Sequence, residues 1–393
     1  MARIEVMTER PIGLVDPGIF GGFAGSCAEG DLWAAVRDLG ATSMRWASRP
    51  DKPWCGEAEP VLCLDMAGST LDDALAWVEY CSGTYGVRYW GLGREMYDGR
   101  RTAAEYVAKA RRWAKALRRI EPGLRLISCG RTGLDDWDRD VIDGLAAHVD
   151  LHGIRFYTGS ADYWSHVLAP HYAERALSVT GALIDRARYV QQIEREIYVA
   201  CDEWGIRSGP GQALADMLAA ATYLNVFVRQ SWTVRMAHLA LTVPVGASAG
   251  GELTQGIYHP FQLMAAACLP VAVDTFTSSG THAHRDPPGE PYRVADLGRF
   301  QLLDVAATAD SARSRLTVSV VNRDPRRAHP TRVVLHDTRA TGVMTVHEVT
   351  GDDVVTVRAA KHDVSGEHVD VTFAPRSFTL LELPLADGRA ARG

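Results

Sequence analysis

Two textures in the chain predict its fold class. From about residue 18 to 265, short apolar runs alternate with helical patterns, which reads as an α/β chain closing into a (β/α)8 TIM barrel. After about residue 275 the sequence turns to alternating strands separated by turn signals, which reads as an antiparallel β-sandwich. The predicted organisation is a barrel over 15–268, a sandwich built from 1–14 together with 269–388, and a frayed tail at 389–393.

Eight runs supply the barrel strands: Ile19–Ala24, Thr42–Ala47, Val61–Met66, Arg88–Leu92, Arg125–Cys129, Leu151–Tyr157, Ile197–Glu203 and Val234–Thr242. They are almost continuously apolar, as strands of a parallel sheet buried on both faces must be. The helices between them carry start signals. Thr70 with Asp73, and Thr102 with Glu105, are capping-box pairs ahead of helical periodicity, and Ser82-Gly83 and Pro122-Gly123 mark stops. One connection departs from the rhythm. Between Ala47 and Val61 lie two prolines and a glycine in a span close to the shortest a parallel crossover allows, so the second barrel helix is expected to be missing or reduced to a turn. The flank left bare near Trp54 would suit a homo-oligomer.

In the C-terminal part the strands are read in RLTVSVVN, TRVVLHD, VMTVHEV, HVDVTF and SFTLLELP, after a turn-rich TSSGTHAHRDPPGEP linker. The first strand, RIEVM, precedes the barrel and is free to join them.

Composition narrows the function classes. With 47% hydrophobic and 23% charged residues the chain is an ordinary globular protein, and a net charge of −6 leaves no electrostatic footprint for nucleic acid or an anionic membrane. Apolar stretches such as Met264–Val273 are too short to span a bilayer. The start of the chain lacks the apolar core of a secretory signal, and the seven cysteines are an odd number without CxxC spacing. Together these predict a cytoplasmic protein with reduced thiols acting on a small molecule. Neither GLGREM nor GGFAGS has a full dinucleotide or phosphate-loop pattern, and His282 and His284 read as solvated loop histidines, so no cofactor and no metal are implied.

Catalysis in such barrels occurs at the carboxyl ends of the strands. Glu95 follows the fourth barrel strand and Glu203 ends the seventh. Two carboxyl groups facing each other about 5–5.5 Å apart are what retaining glycoside hydrolysis requires, one protonating the leaving oxygen and the other attacking the anomeric carbon. Trp46, Trp90 and Trp204 are aromatic candidates for stacking on a sugar, although Trp90 sits before its strand end and reads as core; His238 and His259 fit a pocket or a core position equally.

The segments GLVDPGIFGGF, TLDDALAWVEYC, YWGLGREM, TAAEYVAKARRWAKAL, CDEW and TQGIYHPF, in this order, resemble the α-L-arabinofuranosidases of glycoside hydrolase family 51. The resemblance implies a barrel with Glu95 as general acid/base and Glu203 as nucleophile, with Gln255 and Tyr157 near the bound sugar. It also exposes departures. Arg94 stands where the family has Asn, Arg155 where it has the His of a His-x-Tyr, and Arg207 where some members have Trp. The Gly-Gly-Asn-Phe stretch expected after Trp46 falls in the shortened segment, and Gly25 replaces a sugar-binding Glu.

Guanidinium groups bind carboxylate or phosphate bidentately, so Arg94, Arg155 and Arg207 suggest an anionic small-molecule glycoconjugate or biosynthetic intermediate rather than plain arabinan. All but four of the 42 basic residues are arginine, which weakens that inference for any one of them. A cation beside Glu95 also works against its service as an acid unless a substrate anion takes up the charge. Two alternatives stay open: a catalytically inactive sugar- or metabolite-binding protein on the same scaffold, and an enzyme that transfers the glycosyl group with the same carboxylate pair.

Overall fold

The computed structural model describes residues 1–24, 36–47, 58–99, 101–207, 209, 211–241, 252–351 and 355–386, with side chains from 256 onward in the helix that begins at Glu252. The expected loss of the second barrel helix, together with Trp54 and Gly25, lies outside these residues, as does the tail at 389–393.

Eight parallel strands close a barrel in chain order. After β1 (Ala2–Leu14) they are β2 (Gly21–Ala24), β3 (Ser43–Trp46), β4 (Glu59–Cys63), β5 (Tyr89–Leu92), β6 (Arg125–Cys129), β7 (Leu151–Thr158), β8 (Tyr198–Ile206) and β9 (Val234–Ala240). Each of the eight coincides with an apolar run read from the sequence, within a few residues at the ends. Around them lie α1 (Leu71–Tyr85), α2 (Ala103–Ile120), α3 (Asp136–Leu145), α4 (Tyr163–Leu168), α5 (Pro170–Gln191), α6 (Ala213–Arg229) and α7 (Glu252–Ala267). Both expected capping boxes form, Thr70 with Asp73 on α1 and Thr102 with Glu105 on α2.

Strand alternation divides the side chains between two layers. Met44, Trp46, Leu62 and Trp90 face outward and pack with Val78, Tyr106 and Trp113 of the helices, while Trp204 joins Tyr223 and Phe227 of α6. Inside the barrel, Val61, Ile127, Leu151, Ala200 and Met236 form a small apolar plug. Above that plug the inward positions become polar, and the functional candidates stand on it.

The remaining strands are β10 (Val271–Ser278), β11 (Thr281–Ala283), β12 (Arg299–Gln301), β13 (Leu303–Ala309), β14 (Arg315–Asn322), β15 (His329–His336), β16 (Ala340–Gly351), β17 (Val355–Gly366), β18 (His368–Phe373) and β19 (Ser377–Pro384). Nine strands hydrogen-bond in the order β17-β16-β19-β14-β13-β10-β1-β15-β18. The sheet curls on itself, so Ile4, Val333 and Val369 from one end share a core with Val318, Met344 and Leu381 from the other. β1 runs antiparallel to β10 and parallel to β15. The stretch read as a linker is partly strand: β10 continues to Ser278, and β11 pairs with β12. Its histidines are packed to different degrees. His282 stacks on Trp164 at 3.8 Å, and the His284 side chain is buried beside Asp286 and Ser165.

Barrel and sandwich are tied by a buried charge network. Arg229, the last residue of α6, reaches Glu174 of α5 at 2.7 Å and Asp304 of β13 at 2.8 Å; Arg323 holds the other oxygen of Asp304 at 2.9 Å, and His171 joins Glu174 at 2.9 Å. Burial raises the Glu174 carboxyl, but the Arg229 guanidinium and His171 together outweigh it and lower it to about 2. Burial likewise opposes ionisation of Asp304, yet Arg229 and Arg323 hold it well below the carboxylate range.

Breaking one partner of a buried pair strands the other charge, so Arg229→Met should cost about 3–5 kcal/mol in urea unfolding at pH 7. Both carboxyls are depressed in the folded state. Their stabilising contribution is therefore full above the unfolded carboxylate value and is lost as pH falls toward 2. An Arg229→Met protein whose unfolding midpoint matches wild type at pH 7 would remove this account.

Candidate active site

The two glutamates reach the barrel mouth by different backbone devices. β5 ends at Leu92; Gly93 and then Glu95 adopt left-handed conformations, with φ of 85° and 51°. A non-glycine residue held there is strained, and the tight turn swings the Glu95 side chain over the mouth, where it is half-exposed at 50%.

Glu203 depends on a bulge in β8. Ile154 pairs with Cys201 and the next β7 residue, Arg155, with Glu203; on the other side Cys201 pairs with Ala237 and Trp204 with Leu239. β8 thus carries one extra residue relative to both neighbours. Cys201 and Trp204 point outward, while Asp202 and Glu203 in succession both face the barrel interior, which strict alternation forbids.

The interior makes room for these carboxylates. Asp202 forms an ion pair with Arg45 of β3 at 3.0 Å, both side chains buried. Burial raises the Asp202 carboxyl, and Arg45 opposes that rise. Gly153 has no side chain because a Cβ there would run into the Asp202 carboxylate, and Gly91 leaves space for Arg45 beside Cys63. His238 on β9 lies 3.2 Å from Ser43 Oγ. Burial first, and then Arg45, lower it to about 3, so it is neutral at pH 7.

Above this layer the structure brings Glu95, Glu203, Arg94, Arg155 and Tyr157 together. Tyr157 donates its hydroxyl to Glu203 Oε1. Arg94 Nη2 is 3.3 Å from Glu203 Oε2 and 3.3 Å from Glu95 Oε1. Arg155 Nη1 is 2.8 Å from Glu95 Oε1 and 3.6 Å from Glu203 Oε2. Laid end to end, the two Arg155 legs limit the separation of those oxygens to about 6.4 Å, which accommodates the ~5–5.5 Å spacing of a retaining pair. Both carboxylates thus contact the same two guanidinium groups.

The other sequence candidates stand elsewhere. Arg207 is exposed at the rim, its guanidinium 6.0 Å over the Tyr157 ring and in contact with neither glutamate. Trp46, at 4% exposure, packs in the outer apolar layer, because the inward position of β3 is taken by Arg45. Trp90 and Trp204 are likewise core. Gln255 lies among residues whose side chains are not described. His259 is on α7, edge-on to Tyr258.

Residues that sequence reading missed complete the site. Asp202 and Arg45 were visible as charges inside apolar strands, but their pairing across the barrel was not. Tyr97 lies under the Arg155 guanidinium at 5.6 Å, and burial raises its hydroxyl to about 12. Tyr292, from the segment that follows β11, donates to the Tyr157 carbonyl, and Glu290 accepts from Ser160, so the C-terminal part of the chain reaches the mouth. The described residues include no cluster of three or more metal-ligating side chains, and no described helix is long and apolar enough to cross a membrane.

Comparison with known proteins adds ancestry to this geometry. A family model described as "Alpha-L-arabinofuranosidase C-terminal domain" matches residues 202–377. A probable alpha-L-arabinofuranosidase C of Aspergillus clavatus is 32% identical over 72% of this chain and 66% of its own length. One of Aspergillus fumigatus is 32% identical over 80% of this chain and 71% of its own length. The chain thus spans roughly two thirds of the length of these relatives. The thermostable GH51 alpha-L-arabinofuranosidase structure from Thermotoga petrophila superposes with a TM-score of 0.80 over 97% of this chain and all of that one, at 22% identity, which speaks to the fold.

Because Asp202 fills the space above Gly153, Gly153→Ala should destabilise the protein by about 1–3 kcal/mol through overpacking. Differential scanning calorimetry checks this; an unchanged melting temperature would show that the Arg45–Asp202 pair is not held as described.

Proposed function

The chain belongs to the α-L-arabinofuranosidases of glycoside hydrolase family 51, and on that premise we propose that it is a retaining glycoside hydrolase using Glu203 as nucleophile and Glu95 as acid/base. The observation that carries the reading is the convergence of both glutamates on the same two guanidinium groups, which supports their facing one another at bonding range of a single acetal carbon.

The two environments suit different roles. The Glu203 side chain is buried at 5%, and Tyr157 fixes Oε1, leaving Oε2 turned toward Glu95 as the attacking oxygen. A buried, clamped carboxylate loses little orientational freedom in forming a glycosyl ester. Glu95, half-exposed on its turn, reaches both a leaving group and solvent protons. In the first step Glu203 Oε2 bonds to the anomeric carbon as the bond to the leaving oxygen breaks and that oxygen takes the Glu95 proton. In the second, water attacks the same carbon, gives its proton to Glu95 and releases Glu203.

The relatives are named as probable alpha-L-arabinofuranosidases, which supports α-L-arabinofuranosides as the substrate class. The finer reading is a glycoside other than plain arabinan, because arginines occupy the positions where the family has neutral polar groups. The thiols of Cys63, Cys129, Cys201 and Cys268 are free, which fits a reducing, cytoplasmic setting. One observation favours the alternative of a non-catalytic binding protein: the guanidinium groups lie between the carboxylates and must move for a sugar to enter.

Covalent trapping separates the two readings. An activated 2-fluoro-arabinofuranoside should leave a mass-shifted peptide containing Glu203, and Glu203→Gln should abolish turnover. Glu95→Gln should lose about 10²–10⁴-fold on substrates with poor leaving groups and much less on activated aryl glycosides. Full activity in either variant would overturn the assignment, and absence of any adduct on intact protein would favour the binding protein.

A further inference from the structure

We propose that Arg94 and Arg155 form a receptor for one anionic group, carboxylate or phosphate, carried by the ligand; the inference rests on the hydrolase reading only in placing that group beside the scissile bond.

Neutralising Glu203 explains only part of this arrangement. Glu203 is buried and needs partners, and Tyr157 already supplies one hydrogen bond. Glu95 is half-exposed and solvated by water, yet both guanidinium groups also reach it. Arg94 makes these contacts through one nitrogen, at 3.3–3.5 Å, longer than a well-formed charge-assisted bond. Its buried Nε, and that of Arg155, have no hydrogen-bond partner among the described residues. The contacts to the two glutamates run through Arg94 Nη2 and Arg155 Nη1, so neither planar fork is engaged bidentately by them, the mode in which guanidinium binds carboxylate or phosphate.

Aromatic faces hold the two planes: Phe23 lies 5.4 Å from the Arg94 guanidinium, and Tyr97 lies 5.6 Å from that of Arg155. The Arg94 side chain is 31% exposed, so an incoming group meets it directly.

Among the described residues, the mouth sets Arg45, Arg94 and Arg155 against Glu95, Asp202 and Glu203. Burial keeps the nearby hydroxyls of Tyr97 and Tyr157 and the thiols of Cys63 and Cys129 protonated at pH 7. Arg131, on the far side of Tyr97, is paired with Asp135 at 3.3 Å, and Arg207 stays at the rim. A bound anion thus replaces the carboxylates as partner of Arg94.

Sulfate, whose charge does not change above pH 3, is the probe. Calorimetric titration of the full chain with sodium sulfate at constant ionic strength should show one saturable site per chain. Affinity should fall at least about tenfold in both Arg94→Ala and Arg155→Gln. Arg94 is partly exposed on a turn, so Arg94→Ala remains a folded test if Arg155→Gln does not fold. No saturable binding, or unchanged affinity in Arg94→Ala, would overturn the proposal. Sulfate binding without covalent trapping on Glu203 would sink the hydrolase reading alone; trapping without sulfate binding would sink this one alone.

Discussion

Two successive carboxylates pointing into the same barrel are the constraint on which the rest of the structure turns. A regular strand sends alternate side chains to opposite faces, so Asp202 and Glu203 face inward together only because β8 carries one extra residue against both neighbours. Burying two adjacent acids is costly unless each finds a cation or a donor. Arg45 answers Asp202 from below, while Arg94, Arg155 and Tyr157 answer Glu203 from above. The interior glycines follow from this. Gly153 is small because Asp202 occupies its side-chain space, and Gly91 is small because Arg45 passes it.

The same principle, buried charge with complete partners, joins the two parts of the chain. Arg229, Glu174, Asp304, Arg323 and His171 form a network at the barrel's outer face that locks β13 onto α5 and α6. Through it and through Tyr292 on the Tyr157 carbonyl, the sandwich braces the strand that presents Tyr157 to Glu203. The C-terminal part of the chain thus helps to brace the barrel mouth.

Chemically, the site differs from an ordinary glycosidase pair by its cations. Carboxylates this close repel, and guanidinium groups between them remove that repulsion, but they also occupy the path of the sugar. On the reading proposed above, a substrate with its own anion would resolve the conflict by drawing the arginines to itself. A neutral substrate would have to displace them without compensation.

Most of the architecture was legible in the residues. The eight barrel strands could be read because burial on both faces leaves an uninterrupted apolar run, and the capping boxes because Thr70 and Thr102 compete locally for their own helix termini. β17 was not legible: most of its residues are exposed, so its polar sequence carries no periodic signal, and it is held by pairing with β16 along its length. Glu95, Glu203, Arg94 and Arg155 were recognisable as chemistry at strand ends. Which of them meet was not, since that depends on a left-handed turn at Glu95 and a bulge beside Glu203, each altering one residue's direction without altering composition. Trp46 and Arg45 show the same division. The pair marks a strand end in the sequence, but only closure of the barrel decides that the arginine faces the acids and the tryptophan the helices, because facing is a property of the sheet rather than of the residue.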